Sequence, residues 1–345
     1  MISLIVSTYE HTATLGWVLE ALASQDYPGR WELIVVDDGS DPTVLTIVKE
    51  ASWRYSTDMR YVWQPDAGHR LARSRNNGIR IARGELLVFL DGDMVVRPNF
   101  LSAHAAAHAS GEKILLVGTR ERLVVRSDRQ NLDLEALRVQ AEQVSIIEGL
   151  PTEHKQQEAW SRSRSPWMAM SGSNFSIASG PGAMYNEMFF GWGSEDRELA
   201  CSLIRRHGHK LVVSDAPRAL HVKVESRPTR RGALITSAAA NAAEANKEAQ
   251  ALLETIRNKL VFKHLHPTED VTPTMRMIAN CLVDPRTDTW YFDEDLTDRN
   301  LAEAINAAEN WMDSHSIQFR PARRATPTPR LTERKSDAGE QDQAN

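Results

Sequence analysis

The chain has 345 residues, a formal net charge of −5 and 41% hydrophobic residues. That is length for about two domains, with no broad basic field of the kind a dedicated nucleic-acid binder carries. Two cysteines, Cys201 and Cys281, exclude a disulfide framework and lack the paired spacing of a zinc site.

Strand and helix alternate through the N-terminal part. Ile2–Ser7 reads as a buried strand, and Leu15, Val18, Leu19 and Leu22 form a helical stripe. Tyr27-Pro28-Gly29 breaks the chain. Trp31–Val36 is a near-continuous apolar run, as strands of parallel sheets are. Asp41-Pro42 supplies an N-cap and a first-turn proline for a helix to about Ser52. Arg60–Trp63 is a third strand, Leu71–Ala82 a helix stopped by Gly84, and Leu86–Leu90 a fourth strand ending on Asp91-Gly92-Asp93. This order predicts a doubly wound parallel sheet, whose ligands sit at the carboxyl ends of the strands. Ser7-Thr8-Tyr9, Asp37-Asp38 and Asp91-Gly92-Asp93 all fall there.

Pro98–Ala109 is expected as helix and Ile114–Thr119 as strand. Residues 128–165 are polar with weak helical patterning, and Trp167–Ile177 is strand-like. Ser194 as N-cap and Gly208 as terminator bracket a helix over Ser194–His207. Lys210–Val213 and Leu220–Val224 read as short strands, residues 231–262 as a long helix, and Leu301–Ser314 as another. Residues from 320 onward have almost no apolar side chains and are expected to be disordered. No internal repeat is evident. No apolar run approaches the ~18 residues of a membrane span, and the short apolar start has no basic region, so no signal peptide is expected and the cytoplasm is the default location.

Asp91 and Asp93 flank a glycine at the end of a buried strand. Such a pair can hold a hard divalent cation that bridges phosphate oxygens, and Gly92 allows close approach of a ligand to the backbone. Taken alone, the triplet is an ordinary polar turn. Alternation buries Leu220, Val222 and Val224, which turns His221 and Lys223 to the other face. His104 and His108, at i and i+4, have zinc spacing, but with no third ligand nearby they read as a solvated face; His207 and His209 read as a helix end.

Ile5-Val6-Ser7-Thr8-Tyr9, Val35-Val36-Asp37-Asp38-Gly39-Ser40, Ala72-Arg73-Ser74-Arg75-Asn76-Asn77-Gly78 and Phe89-Leu90-Asp91-Gly92-Asp93 occur in this order. As a set, over about residues 1–105, they resemble the family 2 glycosyltransferases. Gly191-Trp192-Gly193-Ser194-Glu195-Asp196 is similar to the acceptor-side motif of β-1,4-galactosyltransferases and bacterial chondroitin polymerases, with Ser194 where those carry a second glycine. Gly172-Ser173-Asn174-Phe175-Ser176 is similar to the family's acceptor-half strand, and reads equally as a plain strand with a glycine bulge.

The resemblance implies the GT-A fold, a Rossmann-like, mostly parallel sheet flanked by helices, here with a C-terminal helical extension. Residues 1–105 would bind the donor and 106–226 the acceptor; 227–318 would be the extension and 319–345 a disordered tail. It implies an inverting enzyme that moves a sugar from a nucleotide-sugar donor, a UDP-sugar foremost, to a hydroxyl of a glycan, lipid-linked sugar or peptide acceptor, with Mn²⁺ or Mg²⁺ as cofactor. Asp91, Asp93 and His221 would hold the metal, which would stabilise the leaving diphosphate as a Lewis acid. Thr8, Tyr9, Asp37, Asp38, Asp66, Arg70, Arg75, Asp91 and Gly92 would serve the donor, with Asp37 favoured for contact and Asp38 for capping. Trp192, Gly193 and Asn174 would serve the acceptor, Trp192 by stacking on a sugar ring. An acceptor hydroxyl needs a base, and Asp196, in the first turn of a helix whose dipole favours the ionised form, fits that role, with Glu195 sharing or exchanging it. First-turn acids also suit a helix with no chemistry at all. Alternatives are a sugar-nucleotide nucleotidyltransferase, against which the absence of a Gly-rich basic loop near the first strand argues, and a non-catalytic sugar-binding scaffold. No nucleic-acid partner is expected; the C-terminal region, with its Arg-rich tail, is a candidate for peripheral contact with a membrane or a partner.

Overall fold

Leu4 and Val6 of the first strand pack into one apolar cluster, and Ile5 packs into a second on the opposite face. Strand alternation thus builds two cores at once. The computed structural model describes residues 1–55, 57–126, 133–139, 152–225, 242–270, 281–284 and 289–292. The strands of the central sheet are β1 (Ile2–Thr8), β2 (Trp31–Asp37), β3 (Met59–Trp63), β4 (Leu86–Asp91), β5 (Met94–Val96), β6 (Ile114–Arg126), β7 (Asn174–Ala178) and β8 (Lys210–Glu225). Helices α1 (Leu15–Ala23), α2 (Pro42–Arg54) and α4 (Phe100–Ala107) cover the first face. Helices α3 (Leu71–Ile81) and α6 (Glu195–His207), the 3₁₀ turn Pro166–Ala169 and α7 (Ala242–Leu265) cover the second. Helix α5 (Thr152–Ser161) precedes that turn. Phe89 and Phe175 stack across β4 and β7 with centroids 4.4 Å apart.

The sheet order is β3-β2-β1-β4-β7-β6-β8-β5. The first four strands run parallel, as the βαβα pattern requires, but the sheet then becomes mixed. β7 is antiparallel to both β4 and β6, β6 is parallel to β8, and β5 is antiparallel to β8. The reversal has a consequence for chemistry. An antiparallel β7 begins where β4 ends, so Ser173 O accepts from Asp91 N at 3.1 Å and Gly172 arrives beside the strand-end carboxylates.

Several expected elements differ. β6 and β8 are long, and one strand replaces the two short ones expected over residues 210–224. Within Trp167–Ile177 only the end is strand; Trp167 lies in the 3₁₀ turn and is buried. Helix α3 stops at Ile81 because Ala82 turns extended, ahead of Gly84. Asp41 caps α2 as expected, its Oδ1 accepting from Thr43 N at 3.0 Å. His104 and His108 are not a solvated face. His104 is wholly buried and bonds Ser176 Oγ (2.8 Å) and Asn174 Oδ1 (3.2 Å), and burial pushes its imidazole down to about 3. His108 bonds the same Ser176 hydroxyl at 2.9 Å.

The long helix expected over 231–262 is described from Ala242 to Leu265. It is no mere appendage: Ile256, Leu260, Val261 and Phe262 are buried, the last against Trp167. The extension also holds a two-stranded antiparallel ribbon, β9 (Cys281–Asp284) and β10 (Thr289–Phe292). The expected helix Leu301–Ser314 and the tail from 319 lie outside the described residues. Among the described residues, no helix is long and apolar enough to cross a membrane.

Candidate active site

A cleft of about 780 Å³ opens at the carboxyl ends of β1 and β4, lined by Thr8, Tyr9, Asp38, Arg75, Asp91, Asp93, Trp192, Gly193, Glu195, Asp196 and His221 among others. The parallel half of the sheet positions one wall. The loop into α6 and the start of β7 supply the other.

Asp91 ends β4 with its Oδ1 accepting from Ser7 Oγ and from Arg75 Nη2, each at 2.8 Å. Gly92 makes room: a Cβ there would fall 2.8 Å from His11 Nδ1, so the group closely approaching this glycine is a side chain of the chain itself. Asp93 Oδ2 lies 2.9 Å from His221 Nε2. Their meeting follows from register. β5 starts directly after Asp93 and pairs with β8 so that Met94 opposes His221, while Val222 N donates to Asp93 O at 2.9 Å. Burial alone would raise the Asp93 carboxyl, but the His221 hydrogen bond and the charges of His11 and His221 hold it below the usual carboxylate range.

Arg75 is the hub of the site. It is 1% exposed although it lines the cleft. Beyond Asp91, its Nη2 donates to Gly172 O at 2.8 Å, and its Nη1 lies 3.8 Å from Glu195 Oε1. Its helix carries Arg, Ser and Asn yet is buried from Ala72 to Gly78, because the chain around Tyr185 covers it. Asn76 makes both amide bonds to the Tyr185 backbone, at 2.8 and 2.9 Å.

Asp196 Oδ2 accepts from Gly172 N at 3.1 Å and its Oδ1 from Arg197 N at 2.7 Å. Glu195, beside it, is buried with Oε2 unpartnered; burial first, and then repulsion from Asp196, push its carboxyl up to about 7. Ser194 stands at the N-cap position of α6 but does not cap. Its φ of 73° is left-handed and its side chain makes no capping bond, whereas a bonding N-cap needs extended backbone. A glycine would sit there without strain. Trp192 is 63% exposed, the opposite of a core tryptophan, and its ring lies 5.4 Å from that of His69.

The two aspartates after β2 exchange their expected parts. Asp37 caps the turn: Oδ1 accepts from Gly39 N (3.0 Å), Ser40 N (2.8 Å) and Ser40 Oγ (2.7 Å), and Oδ2 from Tyr61 OH. Asp38 faces the cleft, accepting from Arg70 N at 2.6 Å and from Gln64 Nε2; burial raises its carboxyl. The reason is strand alternation, which turns consecutive side chains to opposite faces. Arg70 folds its guanidinium onto Pro65 O, and Asp66 takes Gly68 N and, at 3.5 Å, Tyr9 OH. Neither lines the cleft. Asn174 does not reach it either. It is fully buried, with Nδ2 donating to Pro217 O (2.6 Å) and Thr119 O (3.3 Å). Thr8 Oγ1 and His11 Nδ1 are buried without a hydrogen-bond partner on the cleft wall formed by the parallel half. His11 also lines the cleft, and nothing in the sequence marks it, since it lies in no motif.

The profile of Glycosyl transferase family 2 matches residues 3–186. The validoxylamine A glucosyltransferase of Streptomyces hygroscopicus subsp. limoneus is 30% identical over 243 residues, 62% of this chain and 50% of that protein. The chondroitin synthase of Escherichia coli is 27% identical over 229 residues, 59% of this chain and 32% of that one. The chain thus spans half or less of the length of these relatives. In fold it is similar to a mannosyltransferase of Pyrobaculum calidifontis solved with GDP-Man and Mn²⁺, with a TM-score of 0.52 and 13% identity over 91% of this chain and 74% of that one. A four-strand parallel half joined to a mixed half, with helices on both faces, is the GT-A architecture. With the profile covering β1 to β7, more than half of its length, the chain belongs to glycosyl transferase family 2.

Proposed function

We propose that this cleft transfers a sugar from a nucleoside-diphosphate donor, foremost a UDP-sugar, to a hydroxyl of a glycan-type acceptor, with inversion at the anomeric carbon. The observation that carries the reading is a chain of contacts running from one wall to the other. Asp91 is held by Arg75, Arg75 by Gly172 O, and Gly172 N by Asp196. Two residues, Arg75 and Gly172, therefore link a leaving-group carboxylate to a base carboxylate.

In this reading Asp196 takes the proton of the acceptor hydroxyl as its oxygen bonds the anomeric carbon and the sugar–phosphate bond breaks on the opposite face. Trp192 offers the acceptor ring a flat, exposed face. Asp38 and the Thr8–Tyr9 segment serve the nucleoside, and Arg75 keeps Asp91 aimed.

The contact that tests the fit of a divalent cation is the one between Asp93 and His221. Carboxylate oxygen suits Mn²⁺ and Mg²⁺, and imidazole nitrogen suits first-row transition ions. Among the described residues no three such side chains stand at ligand spacing, but a cation of this kind is commonly held by one or two carboxylates plus the substrate's phosphates. Asp93, His221 and Asp91 would hold it, and it would offset the charge of the leaving diphosphate. Calorimetry of UDP binding tests the donor site: affinity that appears with Mn²⁺ and disappears with EDTA supports it, and no binding under either condition contradicts it.

A further inference from the structure

The loop that carries Trp192 is strained, and a residue outside it holds it. Gly191, Gly193 and Ser194 all have left-handed backbone, with φ of 74°, 87° and 73°. Such a run persists only where surrounding contacts over-determine it. Every carbonyl from Phe190 to Ser194 is engaged. Asn258 Nδ2 donates to Gly193 O at 2.9 Å, Phe190 O at 3.0 Å and Trp192 O at 3.3 Å. Gly191 O meets His69 Nδ1 at 3.0 Å, and Ser194 O accepts from Glu198 N at 2.9 Å within α6.

Asn258 is itself held. Its Oδ1 accepts from Arg257 Nη1 at 2.7 Å, which fixes the amide so that the NH₂ points at the loop. Arg257 donates to Met188 O at 3.0 Å, and its guanidinium lies 3.6 Å from the Phe190 ring centroid. Helix and loop are close enough that a Cβ at Gly191 would fall 2.5 Å from the Glu254 side chain. Asn258 is fully buried, while Thr255, one turn before it, and Lys259, the next residue, line the cleft.

We infer that Asn258 is a positioning residue of the acceptor subsite, holding the Trp192 platform and the entry to Glu195 and Asp196 in their working geometry. The role in catalysis rests on the proposed transfer; the clamp itself does not. A single buried amide bonds three carbonyls, so its loss leaves three acceptors unpaired and releases stored backbone strain. The C-terminal helix is then part of the site and not an addition to it.

The test is hydrogen exchange followed by mass spectrometry on the full chain, with UDP affinity measured alongside. Asn258→Ala and the isosteric Asn258→Asp remove the donor; Asn258→Gln keeps an amide. The expected result is exchange in residues 188–194 faster by about tenfold or more in Ala and Asp, less so in Gln, with β1, β4 and UDP affinity unchanged. Unchanged exchange in 188–194 overturns the inference. So does acceleration spread equally over β1 and β4, which would make Asn258 a plain core residue. Should the Ala variant not fold, the Asp variant decides. If UDP fails to bind the unaltered chain, the donor reading falls while the exchange result still judges the clamp.

Discussion

Arg75 Nη2 reaches Asp91 Oδ1 at 2.8 Å from a position with no access to water. The pair is buried on the arginine side and partly open on the carboxylate side. Removing the arginine leaves the Asp91 and Glu195 carboxyls without the cation that stands between them. Arg75→Met is therefore expected to lower stability by about 3 kcal/mol, the range for breaking a buried pair from one side. Urea denaturation reads this; a loss under about 1 kcal/mol would place Arg75 in the class of exposed pairs.

Asp196→Asn keeps the shape and the hydrogen bond from Gly172 N but cannot take a proton. Transfer should fall by about 10²–10⁴, as for loss of a general base, with UDP affinity unchanged. Turnover equal to the unaltered chain would remove Asp196 from the mechanism.

Glu195 gives a pH signature. Its carboxyl rises from its ordinary value of 4.5 to about 7 in the fold, so the folded chain holds a proton that the unfolded chain releases. Stability from this group is complete below pH 4.5 and is lost as pH rises towards 7. Glu195→Gln removes the ionisation. The stability of the unaltered chain minus that of the variant should fall between those two values and be level on either side. Thermal melts across pH 4 to 8 measure it; a flat difference would mean that Glu195 titrates as an ordinary carboxyl.

His221→Ala deletes the ring nitrogen beside Asp93 without touching Asp38 or Thr8. Mn²⁺-dependent UDP affinity should drop about tenfold or more, while any metal-free affinity stays. Equal Mn²⁺ dependence in the variant would take His221 out of the metal shell. Asp93→Ala should lose more, since it removes the charged ligand.

Much of this was legible in the chain. The apolar runs of β1, β2 and β4 place the strand-end carboxylates on one wall of the cleft, and alternation alone turns His221 away from the core. What stayed hidden has physical causes. Strand β5 has three residues, too few for any period, yet it sets Asp93 against His221. Helix α3 reads as a surface helix because its polar residues find buried partners far along the chain: Arg75 meets Asp91, Asn76 the Tyr185 backbone and Asn77 Gln64. Asp37 and Asp38 are indistinguishable by type, and only the strand's facing decides which one meets the cleft. Asn258 lies in an Ala/Glu/Lys-rich helix, and nothing local signals that its amide meets a loop 65 residues away.

The most direct measurement is UDP release from a panel of UDP-sugars with Mn²⁺ and a panel of glycan acceptors, comparing the unaltered chain with Asp196→Asn. The account predicts release from at least one donor, stimulated by an acceptor, abolished by EDTA and lost in the variant. Release from no donor, or release that the variant and EDTA leave unchanged, would contradict sugar transfer in this cleft.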